Sequence, residues 1–440
     1  MRVRFWGTRG SIAVPGPETL RYGGNTPSVE VRTDDGTLLI FDCGTGARKL
    51  GLALARSGAV RAHLFIGHTH GDHIQGLPFF VPAFLPGSHL TIYGPSGTNR
   101  SFPNAIGGQM EYAYFPVPFN DLPARVDFEE LGEGEFSVGE IRVRTQYLNH
   151  TAPCLGYRIE AGGATLVYAT DHEPHTPTLW RPDRAEGTFE PAAMLHPGDR
   201  RHAEFLSGAD LVIHDSQYTA AEYPFKIGWG HSPAEYVVDV ALAARARGLA
   251  LFHHDPTRSD EALDGVLAAC RERVAQSGIR MDVLAADEGT EINLEGRSRL
   301  AAVELGTQTA RVVTRARVLV ADDDDSIAKL LGRALQQDGY EVLRASNGAE
   351  AVELAEQQHF DLILLDAQMP VMDGFAACRA IRADPRLDAI PIVMLTARSG
   401  ESDVMAGFAE GVTDYMTKPF AISQVRARVR SWLTRAPATP

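Results

Sequence analysis

At 440 residues the chain is too long for one ordinary core and suits two or three domains. With 44% hydrophobic and 22% charged residues it is globular rather than disordered. A formal net charge of −14 removes any general attraction to nucleic acid or to an anionic membrane, so neither is expected as a partner.

Cys43, Cys154, Cys270 and Cys378 are scattered, with no Cys-x-x-Cys pair, so neither a disulfide framework nor a thiolate zinc site is suggested. No stretch reads as a signal peptide or as a bilayer-spanning run, so a cytoplasmic location is expected. Residues 2–6 alternate and end at Gly7, a strand leading into a loop. Strands follow over 28–32 and 38–41, joined by the turn Asp34-Asp35-Gly36. Asp42-Cys43-Gly44-Thr45-Gly46 then opens a helix over 47–57. A glycine-rich turn of this kind can cradle a phosphate; the plainer reading is a turn that supports the loop after the next strand.

That strand, Ala62 to Gly67, runs into His68-Thr69-His70-Gly71-Asp72-His73. Four metal-capable side chains within six residues, spaced by small ones, are hard to explain as packing. Neutral imidazoles and a carboxylate suit zinc, and also iron or manganese. Residues 99–120 mix aromatics with Gly and Pro, the composition of a lid over a pocket or of ordinary packing. Short strands cover 126–143, and 143–148 runs into Asn149-His150. Residues 155–160 and 164–170 pair as a hairpin ending in Asp171-His172-Glu173-Pro174-His175. Strand 211–213 ends at His214-Asp215-Ser216, and 249–252 at His253-His254-Asp255-Pro256. Each group alone could cap a turn. Their repetition at successive strand ends predicts one shared site.

The composition shifts near Leu294, which predicts a first domain over 1–294, a linker over 295–316 and a second domain over 317–436. In the latter, strands at 317–321, 341–345, 361–365, 390–395 and 412–415 alternate with amphipathic helices. Five such units predict a doubly wound parallel α/β sheet, (βα)5.

The pattern His68-x-His70-x-Asp72-His73, with His150, Asp171 and His253 downstream, resembles the metallo-β-lactamase superfamily across about residues 1–294. The resemblance implies an αββα sandwich holding two divalent metal ions, zinc first, with manganese and iron also compatible. It puts His68, His70 and His150 on one ion, Asp72, His73 and His253 on the other, and Asp171 between them. His254 competes with His253 for its place; His253 is taken because it directly follows the strand. An Asp at the bridging position and a His at position 70 imply hydrolysis rather than redox chemistry. Phe5-Trp6-Gly7-Thr8-Arg9-Gly10-Ser11, Gly23-Gly24-Asn25-Thr26 and Phe41 to Gly46 are similar to the branch holding phosphoribosyl cyclic phosphate phosphodiesterases and tRNA 3′-processing endonucleases. Gly230-His231-Ser232-Pro233 resembles that branch's Gly-His-Ser-Thr element, which implies His231 as the acid that protonates the leaving oxygen. The rival reading makes Ser232 a helix N-cap with His231 merely adjacent.

Catalysis then rests on Asp72, orienting the attacking water while ligating, and on His231. Arg9, Tyr218, Lys226 and Trp229 are candidate substrate contacts: cations for phosphate, aromatics for a base. His172, His175, His214, Asp215, His254 and Asp255 are candidates to orient the ligand imidazoles. The implied substrate is a small phosphodiester, with a cyclic nucleotide as the suggested case. A lactonase or thioesterase, and a signalling adaptor with a sensory metal, are the alternatives.

Val318-Leu319-Val320-Ala321-Asp322-Asp323-Asp324 and Leu362-Ile363-Leu364-Leu365-Asp366 are apolar strands ending in carboxylates, an oxygen-rich Mg²⁺ pattern. With Lys418-Pro419-Phe420 they resemble the receiver domain of two-component response regulators over 317–434. That resemblance implies phosphorylation of Asp366, and Mg²⁺ on Asp322, Asp323 and the Gln368 backbone carbonyl. It also implies a switch made of Thr396, Tyr415 and Lys418. The implied partner is a sensor histidine kinase or phosphotransfer protein, and the switch face can homodimerise or dock on the hydrolase.

Overall fold

The structure, a computed structural model, describes residues 1–96, 101–175, 196–294 and 316–418 except 385, 388–389 and 397–411, with scattered positions of a helical stretch between 422 and 433. The linker expected over 295–316 lies outside the described residues but for its last position. The chain divides into two compact units, Met1–Leu300 and Ala301–Pro440.

In the first unit, β1 (Arg2–Gly7) turns Val3 and Phe5 into the core while Arg2, Arg4 and Trp6 take the other face, as period-two alternation requires. It is followed by β2 (Ser28–Arg32), β3 (Leu38–Phe41), α1 (Gly46–Ala55), β4 (Arg61–Phe65), the single turn α2 (Gly71–Ile74), β5 (His89–Pro95), α3 (Phe102–Gly108) and β6 (Arg125–Leu131). Next come β7 (Gly134–Val138), β8 (Ile141–Tyr147), β9 (Leu155–Ala161), β10 (Ala164–Ala169), α4 (Pro197–Leu206) and β11 (Leu211–Asp215). The unit ends with α5 (Ala234–Ala243), β12 (Gly248–Phe252), α6 (Asp260–Ser277), β13 (Asp282–Ala285) and β14 (Glu291–Asn293).

These strands form two seven-stranded sheets, ordered β14-β1-β2-β3-β4-β5-β6 and β13-β12-β11-β10-β9-β8-β7. Phe5, Phe41 and Phe65 of one sheet share a core with Tyr157, Tyr168 and Phe252 of the other. The outer face of the first sheet packs on Leu50 and Leu54 of α1, and that of the second on α4 and α5. The result is the expected αββα sandwich. Strands β10, β11, β12 and β13 are parallel, as are β3, β4 and β5, so their C-terminal ends gather along one edge.

In the second unit β15 (Arg317–Ala321), α7 (Asp325–Gln337), β16 (Glu341–Ala345), α8 (Gly348–Gln357), β17 (Leu362–Asp366), α9 (Gly374–Arg382), β18 (Ile392–Thr396) and β19 (Asp414–Thr417) follow in turn. The sheet is parallel throughout, in the order β16-β15-β17-β18-β19. Its helices start where Asp324, Asn347 and Asp373 side chains accept from first-turn amides. β19 begins at Asp414 rather than 412, because its ladder with β18 starts at the Val393–Asp414 pair.

Candidate metal centre

The site is assembled by loops that leave strand ends in unusual backbone conformations. Among the described residues, non-glycine positive φ occurs at Ser11, Asp42, Asp171, Arg245, His253 and Val371. Four of these six, Ser11, Asp42, Asp171 and His253, belong to this one site. Each such residue costs about 1–3 kcal/mol. Phe41 and Phe252, fully buried immediately before Asp42 and His253, contribute a comparable 1.5–3 kcal/mol each, roughly. The core strands therefore hold the strained ends in place.

At His253 the left-handed turn (φ 57°) directs this ring, and not that of His254, into the cluster. His253 Nε2 lies 3.1 Å from both Asp72 Oδ2 and Asp171 Oδ1. His254 is turned away, its Nε2 2.8 Å from the Ala286 carbonyl. Four sets of metal-capable atoms converge, all within 4.8 Å inside each set: His68, His70, His150; His68, His73, Asp171; Asp72, His73, His253; and Asp171, His231, His253. Asp171 belongs to two of them. Its Oδ2 lies 2.7 Å from His73 Nε2 and 3.4 Å from His68 Nδ1, while Oδ1 faces His253.

Three imidazoles are aimed from behind. His73 Nδ1 is 2.6 Å from Asp42 Oδ2, His150 Nδ1 is 2.9 Å from the Gly230 carbonyl, and His253 Nδ1 is 3.0 Å from Gln217 Oε1. Donation of each Nδ1–H leaves Nε2 bare toward the cluster, the arrangement that metal-ligating histidines use. Asp42 also accepts from the Gly67 amide at 2.8 Å and the Tyr168 hydroxyl at 2.7 Å, so the Asp42 turn supports the metal loop. The Ser11 amide donates to Asp72 Oδ2 at 2.8 Å. Gln217, Tyr168 and the Ser11 amide escape sequence reasoning: a tyrosine inside an apolar strand and a backbone N–H carry no local signal. Ser11 does sit at the end of the Phe5 to Ser11 motif.

Both ring nitrogens of His68, Nε2 of His73 and both Asp171 oxygens are buried with no hydrogen-bond partner outside the cluster. Buried polar atoms are normally satisfied. Five orphans converging in one place fit divalent metal ions, with imidazole and carboxylate as the donor set. Burial lowers the His68 pKa, and that of His150 to about 3, which keeps both rings neutral and able to ligate. Burial pushes Asp171 up, but the facing His253 and His73 outweigh it and hold the carboxyl well below the usual range.

His231 is only partly buried, its ring centroid 5.4 Å from that of His150 and 5.0 Å from that of His253. Its Nδ1 is 3.2 Å from Asp215 Oδ2 and 3.2 Å from Asp171 Oδ1. Burial lowers its pKa, yet Asp215 and Asp171 outweigh this and raise it to about 10. Asp215 Oδ2 also accepts from the Ser232 amide at 3.0 Å. The rival reading of this segment is corrected: Pro233, not Ser232, occupies the N-cap of α5, and the Ser232 hydroxyl donates to the His172 carbonyl.

Two candidate substrate contacts are corrected. Arg9 is fully buried; Nε donates to the Gly23 carbonyl at 2.8 Å, and Nη1 to Asp255 and Arg258 carbonyls at 3.2 and 2.7 Å. Its other nitrogen lies 3.5 Å from Asp260, so the guanidinium ties the N-terminal loop to α6 and does not reach a substrate. Tyr218 is buried with its ring edge-on to His231, 5.9 Å between centroids, so it backs the histidine and offers no open face for a base. Lys226 and Trp229 do stand at the surface, the ammonium 4.2 Å above the indole ring. Among the expected orienting residues only Asp215 reaches the site. His214 pairs with His202 at 2.8 Å, His172 stacks on His202 at 3.8 Å, His175 stacks on His196 at 4.9 Å, and Asp255 bonds Thr257. These side chains pack behind the ligand layer or cap a turn.

In the second unit Asp322, Asp323 and Asp366 bring carboxylate oxygens within 4.8 Å of one another at the ends of β15 and β17. Lys418 Nζ lies 2.8 Å from Asp322 and 3.1 Å from Asp366. Burial raises the Asp366 pKa, opposed by Lys418 and by the Gln368 amide. Thr396 ends β18 and is buried. Tyr415 falls on β19, but its side chain lies outside the described residues.

A beta-lactamase superfamily domain model matches residues 37–254, and a response regulator receiver domain model matches residues 318–430. The chain joins a beta-lactamase superfamily domain to a response regulator receiver domain. Among curated proteins it is similar to the alkaline phosphatase synthesis transcriptional regulatory protein PhoP of Bacillus subtilis, 43% identical over 120 residues, 27% of this chain and 49% of that protein. It is also similar to the dual master transcriptional regulator RpaA of Synechocystis, 42% identical over 124 residues, 28% of this chain and 52% of that one. The chain thus spans about half the length of the curated relatives it matches. Among solved structures, the metallo-beta-lactamase fold protein YhfI from Bacillus subtilis is 18% identical, with a TM-score of 0.45 over 66% of this chain and 99% of that one. The lactamase-fold domain carries the histidine cluster, and the receiver domain carries Asp366.

Proposed function

We propose that the lactamase-fold domain is a dinuclear-metal phosphodiesterase acting on a small phosphodiester, a cyclic nucleotide among them, and that phosphorylation of the receiver domain adjusts its rate. The observation that supports this reading is the fully buried Asp171 carboxylate, whose two oxygens face imidazole nitrogens of His73 and His253 at 2.7 and 3.1 Å. His68, His70 and His150 would hold one ion, Asp72, His73 and His253 the other, with Asp171 shared. Two such ions, zinc first, supply Lewis-acid charge at the attacking and leaving oxygens of a displacement. Asp72, anchored by the Ser11 amide, orients the attacking water. His231, protonated and held at Nδ1 by Asp215, presents Nε2 as the donor to the leaving alkoxide. Lys226 and Trp229 would meet the phosphate and an aromatic base, a reading supported by their place at the surface of the segment that leads into His231.

In the receiver domain Asp366 would accept the phosphoryl group from a sensor histidine kinase or phosphotransfer protein. Asp322, Asp323 and the Gln368 carbonyl would hold Mg²⁺, and Thr396, Tyr415 and Lys418 would respond. Among the described residues no helix is long and apolar enough to cross a membrane.

The test is a substrate panel on metal-analysed full chain, with and without acetyl phosphate, beside Asp366→Asn. Hydrolysis of bis-p-nitrophenyl phosphate or a cyclic nucleotide is expected, at a rate that acetyl phosphate changes in the wild type and not in D366N. Turnover of lactones or thioesters with no phosphodiester would sink the phosphodiesterase. Identical rates in both phosphorylation states would sink receiver control.

A further inference from the structure

Glu173 stands two residues beyond Asp171, outside every ligand set, and is 3% exposed. Its Oε1 accepts from the Tyr223 hydroxyl at 3.1 Å and the Gly228 amide at 2.5 Å, and its Oε2 from the Gly230 amide at 2.9 Å. One carboxylate thereby anchors three points of the segment Tyr223–Gly230. Its own backbone is pinned as well: the Glu173 amide donates to the Asn149 carbonyl at 2.8 Å, and Asn149 Nδ2 donates to the Glu173 carbonyl at 2.9 Å. The residue before ligand His150 and the segment after ligand Asp171 are locked to each other.

From Gly230 two paths reach the metal centre. Its carbonyl faces His150 Nδ1 at 2.9 Å, and its chain neighbour is His231. The fit there is close: at Gly230 φ is +87°, and an added Cβ would come within 2.3 Å of His150 Nδ1. The same segment carries Phe225, Ile227 and Trp229 exposed at the surface, with Lys226 over the Trp229 ring.

We propose that Glu173 is a positioning residue. It holds the Tyr223–Gly230 segment so that the Gly230 carbonyl sets the His150 tautomer and His231 stands beside Asp171. This rests on the reading of His231 as the acid. The chemistry needs a carboxylate, because both oxygens are acceptors and three donors converge on them. Glutamine has the same shape but replaces one oxygen with an NH₂, which would confront an N–H or O–H donor.

The test compares full-length wild type with Glu173→Gln by hydrogen-exchange mass spectrometry over 223–231, metal stoichiometry, tryptophan emission, and kinetics on bis-p-nitrophenyl phosphate. In E173Q the wild-type metal stoichiometry and a cooperative melting transition are expected to persist. Exchange should rise locally over 223–231, and the emission should shift in a way that a Trp229→Phe background abolishes. kcat should fall about 10–100-fold, as for other partners that orient a metal ligand, while KM changes far less. Unchanged local exchange and kcat would overturn the proposal, and so would exchange rising evenly across the whole domain. Should E173Q fail to fold, Tyr223→Phe removes one anchor from the other side. A smaller rise confined to 223–231 supports the proposal, and none refutes it. If the wild type cleaves no phosphodiester, exchange and emission still judge Glu173, so the two readings fail separately.

Discussion

The lactamase-fold domain and the receiver domain each place carboxylates at the C-terminal ends of parallel strands, yet their surroundings differ. In the first, buried imidazoles and Asp171 converge from the ends of β4, β8, β10 and β12, and five of their polar atoms have no partner outside the cluster. In the second, three carboxylates come from two adjacent strands, Asp323 is exposed, and Lys418 supplies a counter-charge to Asp322 and Asp366. A site that is buried and unsatisfied depends on its ions as part of its structure. A site with one exposed carboxylate, its charge partly offset by a lysine, tolerates exchange of ion and phosphoryl group.

The strongest expectation from this contrast concerns metal removal. Leaving five buried atoms with no partner outside the cluster, at about 1–3 kcal/mol each, should lower the lactamase-domain transition by at least about 10 °C at about 2–4 °C per kcal/mol. The receiver transition should stay put. Calorimetry of the full chain before and after chelation reads both, and equal shifts in both domains would erase the contrast.

Next in size is Asp171→Asn. It removes the shared charge while keeping the side-chain shape, and should cost about 10²–10³-fold in turnover together with loss of metal by elemental analysis. Retention of two ions and of full activity would remove Asp171 from the bridging place.

The smallest effect is expected at Asp42→Asn. Asparagine tolerates the left-handed backbone that position adopts (φ 55°), so the change isolates the carboxylate behind His73. A loss of about 10–100-fold in metal affinity or rate is expected, read by competition with a chromophoric chelator. A null result would show that Tyr168 and the Gly67 amide alone position the loop.

Much of the site was legible because its chemistry is dense in the chain. His68 to His73 place four donors in six residues, and Asp366 ends a run of four apolar residues. The failures have a common cause. Arg9 reads as a free cation in a glycine-rich loop, but Asp255, Arg258 and Asp260, some 250 residues away, close around it. Glu173 reads as one more polar residue after a strand; its role exists only because Gly228 and Gly230 return to it across about 55 residues.

The sequence by itself determined which metal-capable side chains stand at which strand ends, because donor identity and period-two burial are local properties. Only the tertiary structure decided which way those side chains point. His253 rather than His254 enters the site through the sign of one backbone dihedral. Asp215, Gln217 and Asp42 find their imidazoles only when sheet packing brings distant strand ends together, since a hydrogen bond depends on distance and angle rather than on sequence separation.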